Sequence, residues 1–594
     1  MQPRLCAFLT LLVVAMSGCP ARERAGDEPA EQKKEGRLTV TPAEAVLDVD
    51  GKNSASISFR VLRGDEDVTD QASLWVDDAR LGSFSGATFT SVPGAAGRTT
   101  VRAQLEGDTG SASLLLRVRA VVIAPGAPPD APDRFGGAAD PSRAPELVYP
   151  PNGVLVPPNI QMLEFQWHKR TATLFELSLV GEALDLRIYT PCASVGSGCG
   201  LIPDEATWKL LQQVARGRTV KWAVRGTADG GGTGTSGSFD LSFSEEDMRG
   251  GIYYWAAGAG SIMRYDFGLR RQRAEAFYTP LQAVATCVGC HALSRNGKRI
   301  AVGMNIPGPA MMRVLEVATR TKLFEVGMGV PLGDGSDYQA FTPDGSRLIT
   351  VEKGGLSIRN GADGALIGTR PALPNANMPD VSPDGKQVVF ARGSCPVVLC
   401  PTLQVENAAL LLVPFANDTF GMPVELVPKA AGQNNYYPSF SPDGRLVVFN
   451  RSGGTSYDAP DARVMIVPTA GGQPIDLAAV NAQLGNSWPK WSPFQHRFRG
   501  ATIFWLTFSS RRPYGLRQPS AAQLWMVAVD AGRLVRGEDG GFPPFWLPFQ
   551  DPGTGNHIAQ WVEVVDRAPC SDLDRSQCQP NELCVQGMCV PGLQ

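Results

Sequence analysis

The most reactive set of side chains lies in the pentapeptide Cys287-Val288-Gly289-Cys290-His291. Two thiols beside an imidazole suit several kinds of chemistry. In an oxidising compartment the thiols can form a disulfide that pins the segment, with His291 filling a hydrogen-bonding slot. Thiolates and imidazole can also hold a metal ion such as zinc, for which His557 is the candidate fourth ligand.

The spacing C-x-x-C-H also matches the attachment signature of c-type haem. In that chemistry the two thiols add to the haem vinyl groups, and the adjacent imidazole becomes the proximal ligand of the iron. The match predicts one covalent haem c at Cys287, Cys290 and His291, with His557 or Met378 as the sixth ligand and no metal beyond the haem iron. The disulfide, zinc and haem interpretations all stay open at this point.

Other catalytic signatures are absent from the 594 residues, which contain no G-x-S-x-G elbow, Walker A loop or dinucleotide fingerprint. No hydrolase, kinase or dehydrogenase motif therefore points to an enzyme. The net charge of −3, from 55 basic and 58 acidic residues, argues against a nucleic-acid binder. These features favour a non-enzymatic binding protein, with a mono-haem electron carrier as the alternative.

The N-terminus predicts export and lipidation. Residues 1–18 have a basic start and a short apolar run, Leu5–Ala15, which is too short to span a bilayer. Met16-Ser17-Gly18-Cys19 resembles the lipobox of bacterial lipoproteins, although Met16 replaces the usual leucine. The resemblance implies cleavage before Cys19, acylation of Cys19 and anchoring in a membrane of the cell envelope. Pro20 in place of an aspartate favours the outer membrane, and residues 19–37 read as a disordered tether.

Export also accounts for the cysteines, because close pairs in an oxidising compartment are most simply disulfides. Residues 567–594 form a short Cys-rich tail with almost no core, which predicts two stapling disulfides of undetermined pairing. The disulfide candidates are Cys192, Cys199, Cys395, Cys400, Cys570, Cys578, Cys584 and Cys589.

Two segments before the motif alternate apolar and polar residues with period two, as strands of a half-buried sheet do. Residues 38–120 resemble a bacterial immunoglobulin-like β-sandwich, and residues 147–246 resemble a fibronectin type III-like β-sandwich with one helix capped by Asp204. A Pro-rich linker, 121–146, is expected between them. Such modules would act as spacers between the membrane and the following domain.

Residues 250–566 contain an internal repeat. The frame Phe440-Ser441-Pro442-Asp443-Gly444 recurs, with variations, at intervals of 40 to 70 residues. Pro and Gly suit the tight turn after each inner strand. The repeat resembles the propeller of TolB-like proteins, which implies six blades, with residues 251–280 and the last inner strand closing the ring. The predicted fold is therefore all-β: a six-bladed β-propeller, two N-terminal β-sandwich modules and a disulfide-rich tail.

The register of the repeat places His291 two residues before the reference position Leu293, at one mouth of the central channel. Tyr436, Tyr437 and Trp488 share that region, where they either form a ligand-binding rim or pack between blades. His496, in a basic turn, is expected to be exposed. The resemblance implies that the propeller binds a protein or an envelope component.

Overall fold

The computed structural model describes residues 37–571, 578 and 582–591, apart from gaps at 230, 270–272, 306–310, 328–337, 353–354 and 395–403. The predicted signal peptide, the lipidation site Cys19, and Cys395 and Cys400 lie outside the described residues. Within these ranges the chain is nearly all β, as predicted. No helix in the described part is long and apolar enough to cross a bilayer.

The first module packs three small groups of strands around a core that includes Val101, Leu114 and Leu116, all fully buried. Arg102, between buried Val101 and Ala103, is exposed, so the period-two pattern identified the inward face correctly. The strands are β1 (Leu38–Thr41), β2 (Glu44–Val49), β3 (Ser56–Ser58), β4 (Arg60–Arg63), β5 (Glu66–Asp67), β6 (Ser73–Val76), β7 (Gly82–Ser85), β8 (Thr88–Ser91), β9 (Gly97–Leu105) and β10 (Asp108–Ile123).

The second module continues the sheet of the first, because β10 pairs in parallel with β15 from Val118↔Leu184 to Ile123↔Tyr189. Part of the expected linker is thus the end of a strand, and Phe135 beyond it packs on Tyr189. The elements are β11 (Glu146–Tyr149), β12 (Val154–Val156), β13 (Phe165–His168), β14 (Leu174–Gly181), β15 (Leu184–Pro191), β16 (Ala193–Val195), β17 (Gly198–Leu201), α1 (Glu205–Ala215), β18 (Thr219–Thr227), β19 (Gly234–Thr235) and β20 (Phe239–Phe243).

Helix α1 forms as the sequence predicts. The Asp204 carboxylate accepts a hydrogen bond from the Thr207 amide at 2.9 Å, which satisfies one of the donors that a helix start leaves open. Trp208, Leu211 and Val214 are buried on one face of the helix. The predicted disulfide Cys192–Cys199 is present and joins the residue after β15 to β17.

The repeat region forms six sheets within the described residues, each built mainly of four antiparallel strands in chain order. The elements are β21 (Gly251–Ala256), β22 (Ser261–Asp266), β23 (Glu275–Tyr278), α2 (Pro280–Ala283), β24 (Cys287–Leu293), β25 (Arg299–Asn305), β26 (Met311–Glu316), β27 (Lys322–Gly327), β28 (Gln339–Phe341), β29 (Arg347–Glu352), β30 (Gly355–Asn360), β31 (Leu366–Ala372), β32 (Ala376–Val381), β33 (Gln387–Ser394), β34 (Glu406–Ala416), β35 (Thr419–Phe420), β36 (Val424–Val427), β37 (Asn434–Phe440), β38 (Leu446–Ser452), β39 (Arg463–Pro468), β40 (Ile475–Asp476), α3 (Ala478–Asn481), β41 (Asn486–Phe498), β42 (Ala501–Ser510), β43 (Gln523–Asp530), α4 (Ala531–Val535), β44 (Phe545–Trp546) and β45 (Asn556–Val562).

The ring closes by pairing the two ends of the repeat region. Strand β45 pairs antiparallel with β21, from Gly251↔Val562 to Ala256↔Asn556. The inner strands β24, β28, β32, β37, β41 and β45 contact one another in a closed cycle around a central channel. This arrangement is that of a β-propeller, and shared closure leaves no open edge at the join. We call the end where the inner strands begin the front of the channel, and the end where they stop the back.

The Pro-Asp-Gly turns lie at the back, and their hydrogen bonds and backbone conformation explain why the Ser-Pro-Asp-Gly motif recurs. The Ser441 hydroxyl donates to the Asp443 carboxylate at 2.6 Å and accepts from the Leu446 amide at 3.0 Å. Gly444 has φ +73°, a left-handed conformation that glycine adopts without steric cost. The frames that end in Gly345 and Gly385 have the same conformation, with φ +74° and +72°.

The second module is docked against the sheet β41–β44 rather than held apart from it. Arg517 makes a two-pronged ion pair with the buried Glu164 at 2.8 and 2.9 Å. The Gln166 side chain accepts from the Leu516 amide at 2.6 Å, and Tyr149 accepts from a backbone amide of β44 at 3.0 Å. A continuous hydrophobic core spans both parts, so they form one packed unit.

The tail carries two disulfides, as predicted, and the structure supplies their pairing: Cys570–Cys584 and Cys578–Cys589. The hairpin of the tail, β46 (Glu582–Val585) and β47 (Met588–Pro591), brings Cys584 opposite Cys589. Each bridge therefore ties one of these strands to the preceding loop.

Candidate functional site

The inner strands share an unusual backbone at the front of the channel. Five of them contain a bulge whose first residue has a left-handed φ, between +43° at Cys290 and +56° at Trp488. The equivalent residue before β28 is Tyr338. We name these six equivalent positions the channel ring, which comprises Cys290, Tyr338, Met378, Tyr437, Trp488 and Ile558.

The channel ring surrounds a small cavity of about 60 Å³. Every inner strand contributes to its wall, and His291, Gln339 and Gln560 line it between the ring residues. Pockets that hold drug-sized ligands have volumes of about 300–1,000 Å³. The cavity therefore accommodates an ion, a few atoms of a larger ligand, or a side chain that displaces part of the wall.

Three aromatic rings fill one side of the cavity. Tyr437 stacks on Trp488 with ring centroids 3.8 Å apart, and Tyr338 lies 6.0 Å from both. The hydroxyl oxygens of Tyr338 and Tyr437 are 3.3 Å apart, within hydrogen-bond distance. Burial raises the pKa of Tyr437 well above its ordinary range, so its phenol stays neutral. We call Tyr338, Tyr437 and Trp488 the aromatic triad.

Tyr436, by contrast, is fully buried and does not line the cavity. Its ring packs edge-on against Tyr437 at 5.0 Å. Of the three aromatic residues singled out in the sequence, Tyr437 and Trp488 thus face the channel, and Tyr436 packs behind them.

The same cavity carries the chemistry of the C-x-x-C-H motif. His291 is 3% exposed, and its Nε2 lies 3.1 Å from the carbonyl oxygen of Tyr253. A carbonyl only accepts, so Nε2 carries the hydrogen, and Nδ1 has no hydrogen-bond partner among the described residues. Burial lowers the pKa of His291 to about 4, although the Tyr253 carbonyl opposes the shift. The imidazole is therefore neutral, with the Nδ1 lone pair available.

The bulge places Cys290 and Cys287 in different surroundings. Cys290 is in the channel ring, and the Gln339 side chain of the next sheet donates to its carbonyl at 2.6 Å. Cys287 does not line the cavity. It lies beside Gly260, where a methyl group added to the glycine would come within 3.5 Å of the Cys287 Sγ. Both are thiols, with no disulfide between them in this structure. Burial raises the pKa of the Cys287 thiol, which disfavours its thiolate.

The two candidate sixth ligands lie in different places. Met378 belongs to the channel ring, and its sulfur accepts from the Tyr437 amide at 3.5 Å. His557 lies outside the cavity lining, where its ring packs 5.9 Å from that of Trp255. Burial, and then the charge of Arg511, lowers the pKa of His557. The structure thus brings Cys290, His291 and Met378 to one cavity and leaves Cys287 and His557 beside it.

This arrangement does not fit a haem as it stands. The cavity is several times smaller than a macrocycle requires, Cys287 lies outside it, and Nε2 of His291 is engaged by Tyr253. A covalent haem requires β24 to adopt a different arrangement from the one described. For zinc, the described residues offer a cluster of three His, Cys, Asp or Glu ligands only in the disulfide-bonded tail, at Cys570, Cys578 and Cys589.

Behind the cavity, an ion pair crosses the channel. Lys490 of β41 donates to Asp380 of β32 at 2.8 Å, and Asp380 also accepts from the Phe440 amide at 2.8 Å. Lys490 lines both the front cavity and a more polar cavity of about 100 Å³ toward the back. The channel is therefore apolar and aromatic at the front, and polar behind the ion pair.

The repeat register that placed His291 at the channel mouth also gives Gln339 as its equivalent, and Gln339 does line the cavity. Sequence reasoning missed Ile558, which the same register could have found, and the Lys490–Asp380 pair. The register could not have found the ion pair, whose partners are 110 residues apart. His496 was wrongly expected to be exposed: it is 2% exposed, and its Nδ1 accepts from the indole of Trp505.

No family model matches the chain, and no curated protein matches it. Among solved structures, TolB from Acinetobacter baumannii is 13% identical with a TM-score of 0.35, over 58% of this chain and 79% of its own. An Agrobacterium tumefaciens protein described as a TolB is 16% identical with a TM-score of 0.31, over 53% of this chain and 99% of its own. These neighbours are TolB-like β-propeller proteins. At such identities the likeness concerns the course of the chain alone.

Proposed function

We propose that this is a non-enzymatic binding protein of the bacterial cell envelope, whose six sheets are the blades of a six-bladed propeller. Its ligand, a protein or envelope component, binds at the channel front. The observation that carries the proposal is the channel ring. Left-handed φ values at non-glycine residues cost about 1–3 kcal/mol each and cluster at ligand-binding and active sites. Five such residues, including the β-branched Ile558, surround one cavity here.

The chemistry of the channel front suits an inserted segment of a protein ligand. Tyr and Trp present large apolar faces at low cost in conformational entropy and are enriched among residues that dominate binding energy. The Oε1 atom of Gln339 is buried without a hydrogen-bond partner in the described part of the chain. This atom accepts hydrogen bonds, so it would receive a donor from the segment.

The remaining parts supply attachment. Cys19, acylated after signal cleavage, would anchor the protein in the membrane, and the outer membrane is the proposed site. Residues 38–120 and 147–246 are proposed as immunoglobulin-like and fibronectin type III-like modules. Only the first can act as a spacer, because the second is packed against the propeller. No nucleic-acid ligand is proposed.

Site-specific photo-crosslinking in cells tests the binding proposal. One photoreactive residue replaces Leu281, which is 89% exposed on α2 beside β24 at the front. The matched control replaces Lys386, an exposed residue of a turn at the back. We expect a discrete crosslinked product from position 281, weakened by Trp488→Leu, and none from position 386. Equal products from both ends, or none from the front, would contradict the proposal.

The covalent haem stays a second candidate because the C-x-x-C-H motif is complete and its strand borders the channel. A haem bound there would supply single-electron transfer. A pyridine haemochrome spectrum of protein purified from cells that attach haem c decides the question. A haem c spectrum that disappears in Cys287→Ser supports the candidate, and colourless protein removes it.

A further inference from the structure

Three side chains of the front cavity have donor atoms that chemically soft metal ions prefer. Cys290 and Met378 belong to the channel ring and line the cavity from β24 and β32, and His291 lines it beside Cys290. Thiolate and thioether sulfurs select Cu(I), and imidazole is also a good ligand for copper. We infer that this cavity is a binding site for one Cu(I) ion, with Cys290 Sγ, His291 Nδ1 and Met378 Sδ as its ligands.

The hydrogen bonding of His291 is that of a metal-ligating histidine. Such residues donate their second ring N–H to a carbonyl or carboxylate, which fixes the tautomer and the ring orientation. Here Nε2 donates to the Tyr253 carbonyl at 3.1 Å. The other nitrogen, Nδ1, is buried without a hydrogen-bond partner among the described residues, which is an unfavourable state for a polar atom. A bound metal ion would satisfy it.

Charge favours a monovalent ion. As the sulfur–copper bond forms, the Cys290 thiol releases its proton to solvent, so Cu⁺ replaces H⁺ and neither atom changes oxidation state. This exchange leaves the formal charge of the cavity unchanged. The surroundings are neutral as well, because the neighbouring Lys490 and Asp380 neutralise each other. A divalent ion would leave one uncompensated positive charge in a buried space, which is costly.

Size and flexibility agree with this assignment. The cavity of about 60 Å³ has room for an ion but not for a macrocycle. The methionine side chain has three rotatable bonds and adapts to irregular spaces. To bind copper, Met378 gives up only a weak contact between its sulfur and the Tyr437 amide, 3.5 Å long. The thioether of Met378 also distinguishes this ligand set from a zinc site, which uses thiolate, imidazole and carboxylate.

The test is an anaerobic titration of the full-length, haem-free protein with Cu(I), in competition with the chromophoric chelator bicinchoninate. We expect one Cu(I) per chain. Cys290→Ser and Met378→Leu should each weaken binding by at least about tenfold. The matched controls are Cys287→Ser, the motif cysteine outside the cavity, and Met304→Leu, a buried methionine of β25. Both controls should bind Cu(I) as the unsubstituted protein does.

The same variants separate copper from haem, since haem attachment needs Cys287 and does not need Met378. X-ray absorption at the copper edge should show sulfur and nitrogen neighbours. Far-UV circular dichroism and the unfolding midpoint establish that Met378→Leu, a substitution of similar volume, is folded. The inference is overturned if Cu(I) does not outcompete the chelator, if Cys287→Ser weakens binding as much as Cys290→Ser, or if folded Met378→Leu binds normally. Crosslinking from position 281 is independent of each result.

Discussion

Strands β24 and β37 occupy equivalent places in the ring and differ in how completely their side chains are used. Both bulge at the same register and place a left-handed residue in the channel, Cys290 in one and Tyr437 in the other. All seven residues of β37 are buried. In β24 the two cysteines are half-exposed, and the buried His291 keeps an unsatisfied Nδ1.

The difference shows that the bulge is a property of the shared backbone, whereas the role of each position depends on its side chain. The repeat dictates the bulge, so its geometry serves every inner strand whatever residue it carries. Strand β37 uses the position for packing, because Tyr437 stacks on Trp488 and its neighbour Pro438 has no group that titrates or binds a metal. Strand β24 uses it to expose donor atoms to the cavity. Stability should therefore depend on Tyr437, and chemistry on Cys290 and His291.

The largest expected effect is a loss of stability at Tyr437, the packed position of the two. Tyr437→Ala removes a buried ring from the aromatic triad and should lower the free energy of unfolding by about 3–5 kcal/mol. Cys290→Ala, at the same backbone position, should lower it by less than about 1 kcal/mol. Urea unfolding followed by tryptophan fluorescence measures both. Tyr437→Phe keeps the stacking and should cost only about 0.5–1.5 kcal/mol for the lost hydroxyl contact with Tyr338.

An equal loss at both positions would show that β24 is as tightly packed as β37. It would remove the basis for assigning chemistry to Cys290.

The second expected effect is a pH dependence of the free energy of unfolding, which comes from His291 in β24 and has no counterpart in β37. Burial lowers the pKa of His291 to about 4 from its ordinary 6.5. The unfolded chain therefore takes up a proton near pH 6.5, whereas the folded protein stays neutral until about pH 4. The stability due to the neutral buried imidazole is complete above pH 6.5 and is lost as the pH falls toward 4, about 3 kcal/mol in all.

His496 should contribute a similar slope, since burial also lowers its pKa to about 4. Urea unfolding of the metal-free protein between pH 7 and 4 is the measurement. We expect His291→Gln to reduce the slope and the double variant with His496→Gln to reduce it further, with His557, whose pKa burial also lowers, contributing part of the remainder. An unchanged slope in His291→Gln would mean that His291 is accessible to protons in the folded state.

Local patterns made much of the fold predictable. Period-two alternation located buried faces such as Val101 and Ala103, and the cap at Asp204 located the start of α1. Ring closure followed from counting the repeat, because strands from both ends were needed to complete one sheet. Register also placed His291 at the channel, since a repeat fixes the position of each residue relative to the axis.

What the sequence could not supply depends on residues far apart in the chain. The tail could have paired its cysteines in other ways, and only the hairpin geometry selects Cys570–Cys584. The docking of Glu164 on Arg517 and the Lys490–Asp380 pair follow no periodic signal. The burial of His496 was missed for the same reason, because a basic local sequence says nothing about the indole that packs on it.

The smallest expected effect tests the left-handed backbone conformation that Cys290 and Tyr437 share. A non-glycine residue pays about 1–2 kcal/mol for a left-handed conformation, whereas glycine is penalised by about 0.5–1 kcal/mol through its freedom in the unfolded chain. Cys290→Gly should therefore be more stable than Cys290→Ala by about 0.5–1 kcal/mol, and Tyr437→Gly more stable than Tyr437→Ala by a similar amount. At Ala292, an ordinary strand position two residues beyond Cys290, Ala292→Gly should destabilise the protein. If alanine were better than glycine at 290 and 437 as well, the ring would hold no strain, and its left-handed residues would not mark the channel front as a binding site.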